Sequence, residues 1–325
     1  MTAFAKHRTR PVRHREREPR RFGRLFGYIG IAVGFGAIGF VASLSTGTPS
    51  PVAGVRFSPL AGRPSAIAVT RDALYVADDQ DGSVRVVDPA TVRERRAVHV
   101  GANPVALTIG DGSLFVGHAS GDVTRIALDA ARVTGHVHPG GSITGLAFDG
   151  HRVWAADLGR GELEEINATS LRVVRRVHGV AAVRVVVSGH RVFATTASDE
   201  LVRYDPVSGE VRRVRAGNGP IGLAADGTSV WVANSDDASV VRVNASSMRV
   251  GARVRVGHGP VNLAIAHGVV WVTNDDDRTL SRIDARSARV IGEAIGVAPN
   301  LRGAGADGRV WFVGTDPSGV VRSSE

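Results

Sequence analysis

From about residue 52 onward the chain is a succession of short apolar runs separated by turn-forming clusters, with no stripe of helical spacing. The stretch from Gly217 shows the layout. Gly217-Asn218-Gly219-Pro220 makes a turn, and Ile221–Ala225 and Val230–Ala233 read as strands. Ser239–Asn244 reads as a third strand, and a fourth ends at Val256. Runs of β-branched residues bounded by Gly, Asn, Asp and Ser predict strands joined by hairpins. Asp-Gly and Asn-Asp-Asp segments supply the left-handed conformations such turns need. The second runs, Leu74–Ala77, Leu114–Val116, Val230–Ala233 and Val269–Val272, are apolar almost without alternation. That pattern predicts strands covered on both faces.

An aromatic residue recurs in the second run, at Tyr75, Phe115, Trp154, Phe193, Trp231, Trp271 and Trp311, with gaps of 38 to 40 residues. An Asp or Asn usually follows it by about 13 residues. Seven copies of a four-strand unit at that period predict an all-β, seven-bladed β-propeller, in which each aromatic fills the wedge between adjacent blades. The last copy has room for three strands only, at Arg302–Ala306, Arg309–Val313 and Gly319–Arg322. A lone strand candidate at Val52–Leu60 precedes the first copy and can complete the seventh sheet, removing its exposed edge. Six blades with an unpaired tail is the other reading.

The N-terminal segment differs in kind. Leu25 to Leu44 contains no charge, and twenty helical residues span about the 30 Å of a bilayer core. The predicted organisation is a basic cytoplasmic tail (1–24), a transmembrane signal anchor (25–44), a linker (45–51) and the propeller (52–325). Basic residues before the span put the N-terminus inside and the propeller outside the cell. A cleaved signal peptide is the alternative, with small residues at Ala42, Ser43 and Ser45, and would leave a secreted protein. Gly30 and Gly34 form a small-xxx-small pair through which two such helices would pack as a homodimer.

Charge and composition remove several function classes. The formal charge of +9 comes mainly from the tail, since residues 1–26 hold nine Lys/Arg against two Glu. The remainder is nearly neutral and offers no surplus for a nucleic-acid face. The absence of Cys excludes disulfides, thiolate metal sites and a thiol nucleophile.

Trp271-Val272-Thr273-Asn274, followed by Asp275-Asp276-Asp277 and Thr279 to Asp284, resembles the repeat of the YVTN family. Trp231-Val232-Ala233-Asn234 and Tyr75-Val76-Ala77-Asp78 are further copies, and the resemblance covers about residues 52–325. Repeats two to four match less well. The resemblance implies a seven-bladed propeller, often exported or on the surface of bacteria and archaea. It implies no single activity.

Candidate chemistry lies where second-to-third turns and blade links share one face. Those turns carry Asp78, Asp79, Asp236, Asp237, Asp275, Asp276, Asp277 and Asp316, and the links carry His99, His138, His178 and His258. Carboxylates and imidazoles around a channel mouth are a ligand set for a divalent cation or a cationic ligand. The competing explanation is turn chemistry, because Asp and Asn favour hairpins for backbone reasons. Glu164 and Glu165 are adjacent on a strand and point to opposite faces, so they cannot pair as acid and base. Asp307 to Phe312 resembles the repeat start of streptogramin lyases, but Val313-Gly314 departs from their pattern. The leading expectation is a binding or interaction module for a protein or cell-envelope ligand, with no cofactor. The alternative is an exported metal-dependent lyase of the streptogramin type, or a hydrolase.

Overall fold

The computed structural model describes residues 55–297 and 300–323, and the strands within them form seven sheets. Five sheets are simple meanders of four antiparallel strands, running outward from an innermost first strand to an outermost fourth. The sixth has its outer strand in two pieces, Arg289–Val290 and Ile295–Gly296, both paired with Thr279–Asp284. The seventh joins both ends of the described chain, with Val55–Pro59 lying antiparallel to Gly319–Ser323 and Phe57 opposite Val321. Seven blades and closure by the N-terminal strand are therefore as expected. The span 25–44 and the Gly30/Gly34 pair lie outside the described residues, and among those described no helix is long and apolar enough to cross a membrane.

Each innermost strand packs on the next, and Asn300–Ala306 of blade seven packs on Pro64–Val69 of blade one, so the ring is closed. The core is seven apolar clusters, one in each interface between neighbours. Each recurrent aromatic sits in the cluster shared with the following blade, and none is more than 9% exposed. Leu74–Asp78 and Ser229–Asn234 are buried at every residue, which explains the unbroken apolar runs.

Three repeated devices tie the blades. Asp88, Asn167, Asp205, Asn244 and Asp284 accept backbone N–H groups two or three residues on, which closes the third-to-fourth turn. This accounts for the acidic or amide residue about 13 positions after five of the seven aromatics. Indole N–H groups of Trp154, Trp231 and Trp311 donate to Asp149, Asp226 and Asp307 in the preceding turn. The third device was not anticipated. Opposite the aromatic on the third strand stands an arginine in five blades: Arg125, Arg203, Arg242, Arg282 and Arg322. The guanidinium carbons of Arg242, Arg282 and Arg322 lie 5.6–5.9 Å from their Trp ring centres.

Four of the five arginine heads then reach into the next blade's outer turn. Arg125 donates to the Ala168 and Thr169 carbonyls, Arg203 to Ser246, Arg242 to Arg286, and Arg322 to Pro89 across the closure. Blade three has Glu165 in that place and uses outer-strand Arg175 instead, which donates to the Tyr204 hydroxyl and Pro206 carbonyl.

Candidate functional site

The upper face, carrying second-to-third turns and blade links, is built around a ring of buried polar residues. They occupy the end of each second strand: Asp78, His118, Asp157, Thr196, Asn234, Asn274 and, one place later, Thr315. Asp78 accepts from the Arg63 and Gln80 amides and from Arg85 Nε at 2.9–3.1 Å. Asp157 accepts from the Ser142 and Arg160 amides. Asn234 donates to the Ala216 carbonyl. These residues pin the link onto its own blade, satisfying backbone groups that the turn leaves unpaired. His118 belongs to the same set and was missed by the sequence reading. Its position three residues after Phe115 is the signal that would have found it. Burial lowers the His118 pKa against the pull of its Ala102 carbonyl bond. The ring is therefore a neutral tautomer that donates from Nδ1 and accepts from Thr124 at Nε2.

The exposed candidates are divided among local pairs. His138 bonds Asp122 at 2.7 Å, His178 bonds Glu162 at 2.7 Å, and His258 bonds Asp277 at 3.0 Å. Asp79 pairs with Arg63. Asp237 accepts from the Asn218 amide and side chain and from Arg253. Asp236 accepts from Ser235 Oγ. His99 ends the outer strand of blade one, opposite Ser83, and not in the link beyond it. Asp316 opens the last turn with φ +56°. Asp275 is pushed up by burial, opposed by Arg302 and reinforced by Asp276. The acids of this face are not confined to blades five, six, seven and one. Asp122, Asp157, Glu162 and Asp199 carry them through blades two, three and four as well. Among the described residues no group of three His, Asp or Glu is placed to hold a metal ion.

Blade three concentrates carboxylates that the sequence reading placed only by face. Glu164 and Glu165 do point apart, but both are buried. Glu164 accepts from Arg176 Nε at 2.9 Å, and Glu165 lies 3.3–3.4 Å from Arg152 and Arg175. Burial raises the Glu164 pKa, its Arg176 bond opposes that, and Asp157 adds to the rise. A raised pKa means the fold favours the protonated acid. Stability from this group is full below the ordinary Glu range and lost as pH rises through the raised value. Glu164→Gln is therefore expected to gain thermal stability relative to the wild type as pH goes from 4 to 8. A difference in Tm that stays constant or shrinks over that range would refute it.

The near-neutral balance of the domain hides a segregation. The outer strands of blades one to six carry twelve Arg and one acid, Glu94. Seven of those arginines are matched by carboxylates from third strands and turns.

At the centre, all seven inner strands line a cavity of about 180 Å³. Each inner strand carries a β-bulge at the same place, with Ser65, Val105, Thr144, Val183, Ile221, Val261 or Arg302 as the extra residue. Side chains at or beside the bulge reach across to a neighbour. Ser65 donates to Pro104 O at 2.6 Å, Thr144 to Val183 O at 2.8 Å, and Asn262 to Leu301 O at 3.3 Å. Close approach demands small residues here: a Cβ on Gly222 would sit 2.7 Å from the Val261 carbonyl oxygen.

No family model matches the chain, and no curated protein matches it. Solved structures do. A streptogramin B lyase matches at 11% identity with TM-score 0.70, over 83% of this chain and 97% of that one. U3-55K matches at 12% identity with TM-score 0.73, over 84% and 99%. A chain of a mitotic checkpoint complex matches at 11% identity with TM-score 0.74, over 90% and 98%. At these identities the likeness is one of fold, and the fold is shared by a lyase and a component of a protein assembly alike.

Proposed function

We propose that the chain is a non-catalytic binding module of the YVTN type, displayed outside the cell on a membrane anchor at residues 25–44. Its upper face is the docking surface for a protein or cell-envelope ligand. One observation carries the preference for binding over lyase chemistry. The imidazoles His138, His178 and His258 are each held by a carboxylate of a nearby turn, in three separate sectors of the ring. A metal-dependent elimination needs such groups converged on one reacting atom. The extended, rigid, polar face around the channel is what a platform offers.

The absence of Cys makes the test specific. Single cysteines at Ser120 and Asp236 report the upper face, and cysteines at Asp111 and His190 report the lower. Intact cells are treated with a membrane-impermeant maleimide carrying a photoreactive group, then illuminated. All four positions should label, and the upper two should give discrete adducts that the lower two lack. Labelling only after lysis would overturn the display. Adducts from neither face, or equally from both, would overturn the docking face.

A further inference from the structure

The residue following each inner-strand bulge is Ala66, Ala106, Gly145, Gly222 or Gly303 in five blades and Asn262 in a sixth. In blade four it is Arg184. Two positions in seven thus depart from the small residue that close strand approach favours, and the one at Arg184 puts a guanidinium into the channel. Arg184 lines the cavity together with Ser65, Thr144, Asn262 and Arg302. Its Nη1 donates to the Thr144 carbonyl and, at 3.5 Å, to the Val183 carbonyl. Among the described residues no carboxylate pairs with it, and its bonds to protein groups run through Nη1. Arg203, a buried arginine on the third strand of the same blade, has Glu210 at 3.0 Å. The other guanidinium of the lining, Arg302, lies close enough to Asp275 to feel its charge.

We infer that the central channel is a binding site for a small oxyanion, a carboxylate or phosphoryl group, held by the free edge of the Arg184 guanidinium. Burial lowers the Arg184 pKa only to about 10, so the cation persists at neutral pH. Arg184 is half-buried in the channel wall, and a charge partly withdrawn from water without a counter-charge is costly, which two carbonyl dipoles offset only in part. The planar fork of Nε and Nη2 matches two oxygens of an oxyanion. The cavity has the volume of about six waters, enough for an acetate- or phosphate-sized ion with part of its hydration. Asn262 and the hydroxyls of Ser65 and Thr144 make the remaining wall polar. This site is independent of the proposed docking face, so adducts from that face can persist if the channel proves empty.

The test uses the purified full chain, with sodium acetate and sodium phosphate compared against sodium chloride at equal ionic strength. The wild type should show a saturable rise in Tm, about 2–4 °C at ten times Kd. Calorimetry should show one site. Arg184→Met should abolish both effects, Arg184→Lys should weaken binding at least about tenfold by losing the fork, and the rim variant Arg215→Gln should change neither. Response to acetate alone assigns a carboxylate ligand, to phosphate alone a phosphoryl ligand, and to both a general oxyanion site. If Arg184→Met does not fold, the wild type against Arg184→Lys decides by NMR line broadening of labelled acetate and phosphate. No saturable response in the wild type, or the same response in Arg184→Met or Arg184→Lys, overturns the inference.

Discussion

Trp231→Ala should lower the stability of the propeller by about 3–5 kcal/mol, the range for emptying a fully buried large aromatic site. Trp231 is completely buried and fills the wedge between blades five and six, against Leu263, Val270, Val272 and Ile283. Three separate losses follow from its removal. The cavity cannot collapse easily, because both walls are strands fixed in their ladders. Asp226 loses the indole donor at 3.1 Å. Arg242 loses the ring that its guanidinium covers at 5.6 Å, worth about 0.5–2 kcal/mol in such settings. Trp231→Phe separates these effects, since it keeps most of the volume and deletes the N–H. It should cost clearly less than the alanine variant. Urea unfolding followed by circular dichroism measures both. An alanine variant within 1 kcal/mol of wild type would mean that the wedge residue does not set the stability of that interface.

The same interface shows what could be read from sequence and what could not. Trp231 announced itself because it recurs with six counterparts at a nearly constant period. The strand at Phe57 announced itself because the last repeat was one strand short. Both are properties of the repeat, and a repeat is visible without knowing any contact. Arg242 has counterparts in four other blades, yet arginine on a third strand reads as a solvated residue. Only the register, which sets Arg242 opposite Trp231, shows that its guanidinium both covers the ring and reaches the next blade. Arg184 was hidden for the opposite reason. It is an exception to a repeat whose significance depends on knowing that the neighbouring positions face a channel. The upper-face candidates were found as residue types in the right turns, but pairing decides their chemistry. Asp78 is buried under Arg63 and Arg85, and His258 is bound to Asp277. Charge averages misled as well, because arginines on the outer strands and acids in the turns cancel in the sum.

The arginine latches also bear on how the ring holds together. Among the described residues each blade packs chiefly on its two neighbours, so stability is close to a sum of seven interface contributions. A hydrogen bond from a charged donor is worth about 1.5–3 kcal/mol. Latches of this kind at four of the seven interfaces, and the Arg175 variant at a fifth, spread that contribution around the circle. The interface of blades seven and one is covered by Arg322 to Pro89, residues more than two hundred positions apart in sequence.

That closing interface is where the second large effect is expected. A chain beginning at Ala61 lacks Val55–Pro59 and should be less stable than one beginning at Pro51 by about 3–6 kcal/mol. Val55 and Leu60 are buried, and each such side chain contributes about 1.5–3 kcal/mol. The ladder bonds to Gly319–Ser323 are roughly offset by the entropy of ordering the strand. The Phe57 ring also lies over Gly319, where an added Cβ would meet it at 2.4 Å. Removing the strand uncovers the N–H and C=O groups of Gly319–Ser323 along a sheet edge, which templates pairing between molecules. The shortened chain should therefore melt about 10 °C lower or more, and should associate with rising concentration in sedimentation experiments. A synthetic peptide of residues 51–60 should restore both properties by adding back as the fourth strand. A peptide with Asp in place of Phe57 should do so poorly. Equal melting of the two chains, or no response to the peptide, would show that three strands of blade seven suffice to hold the ring and that the N-terminal strand only decorates the edge.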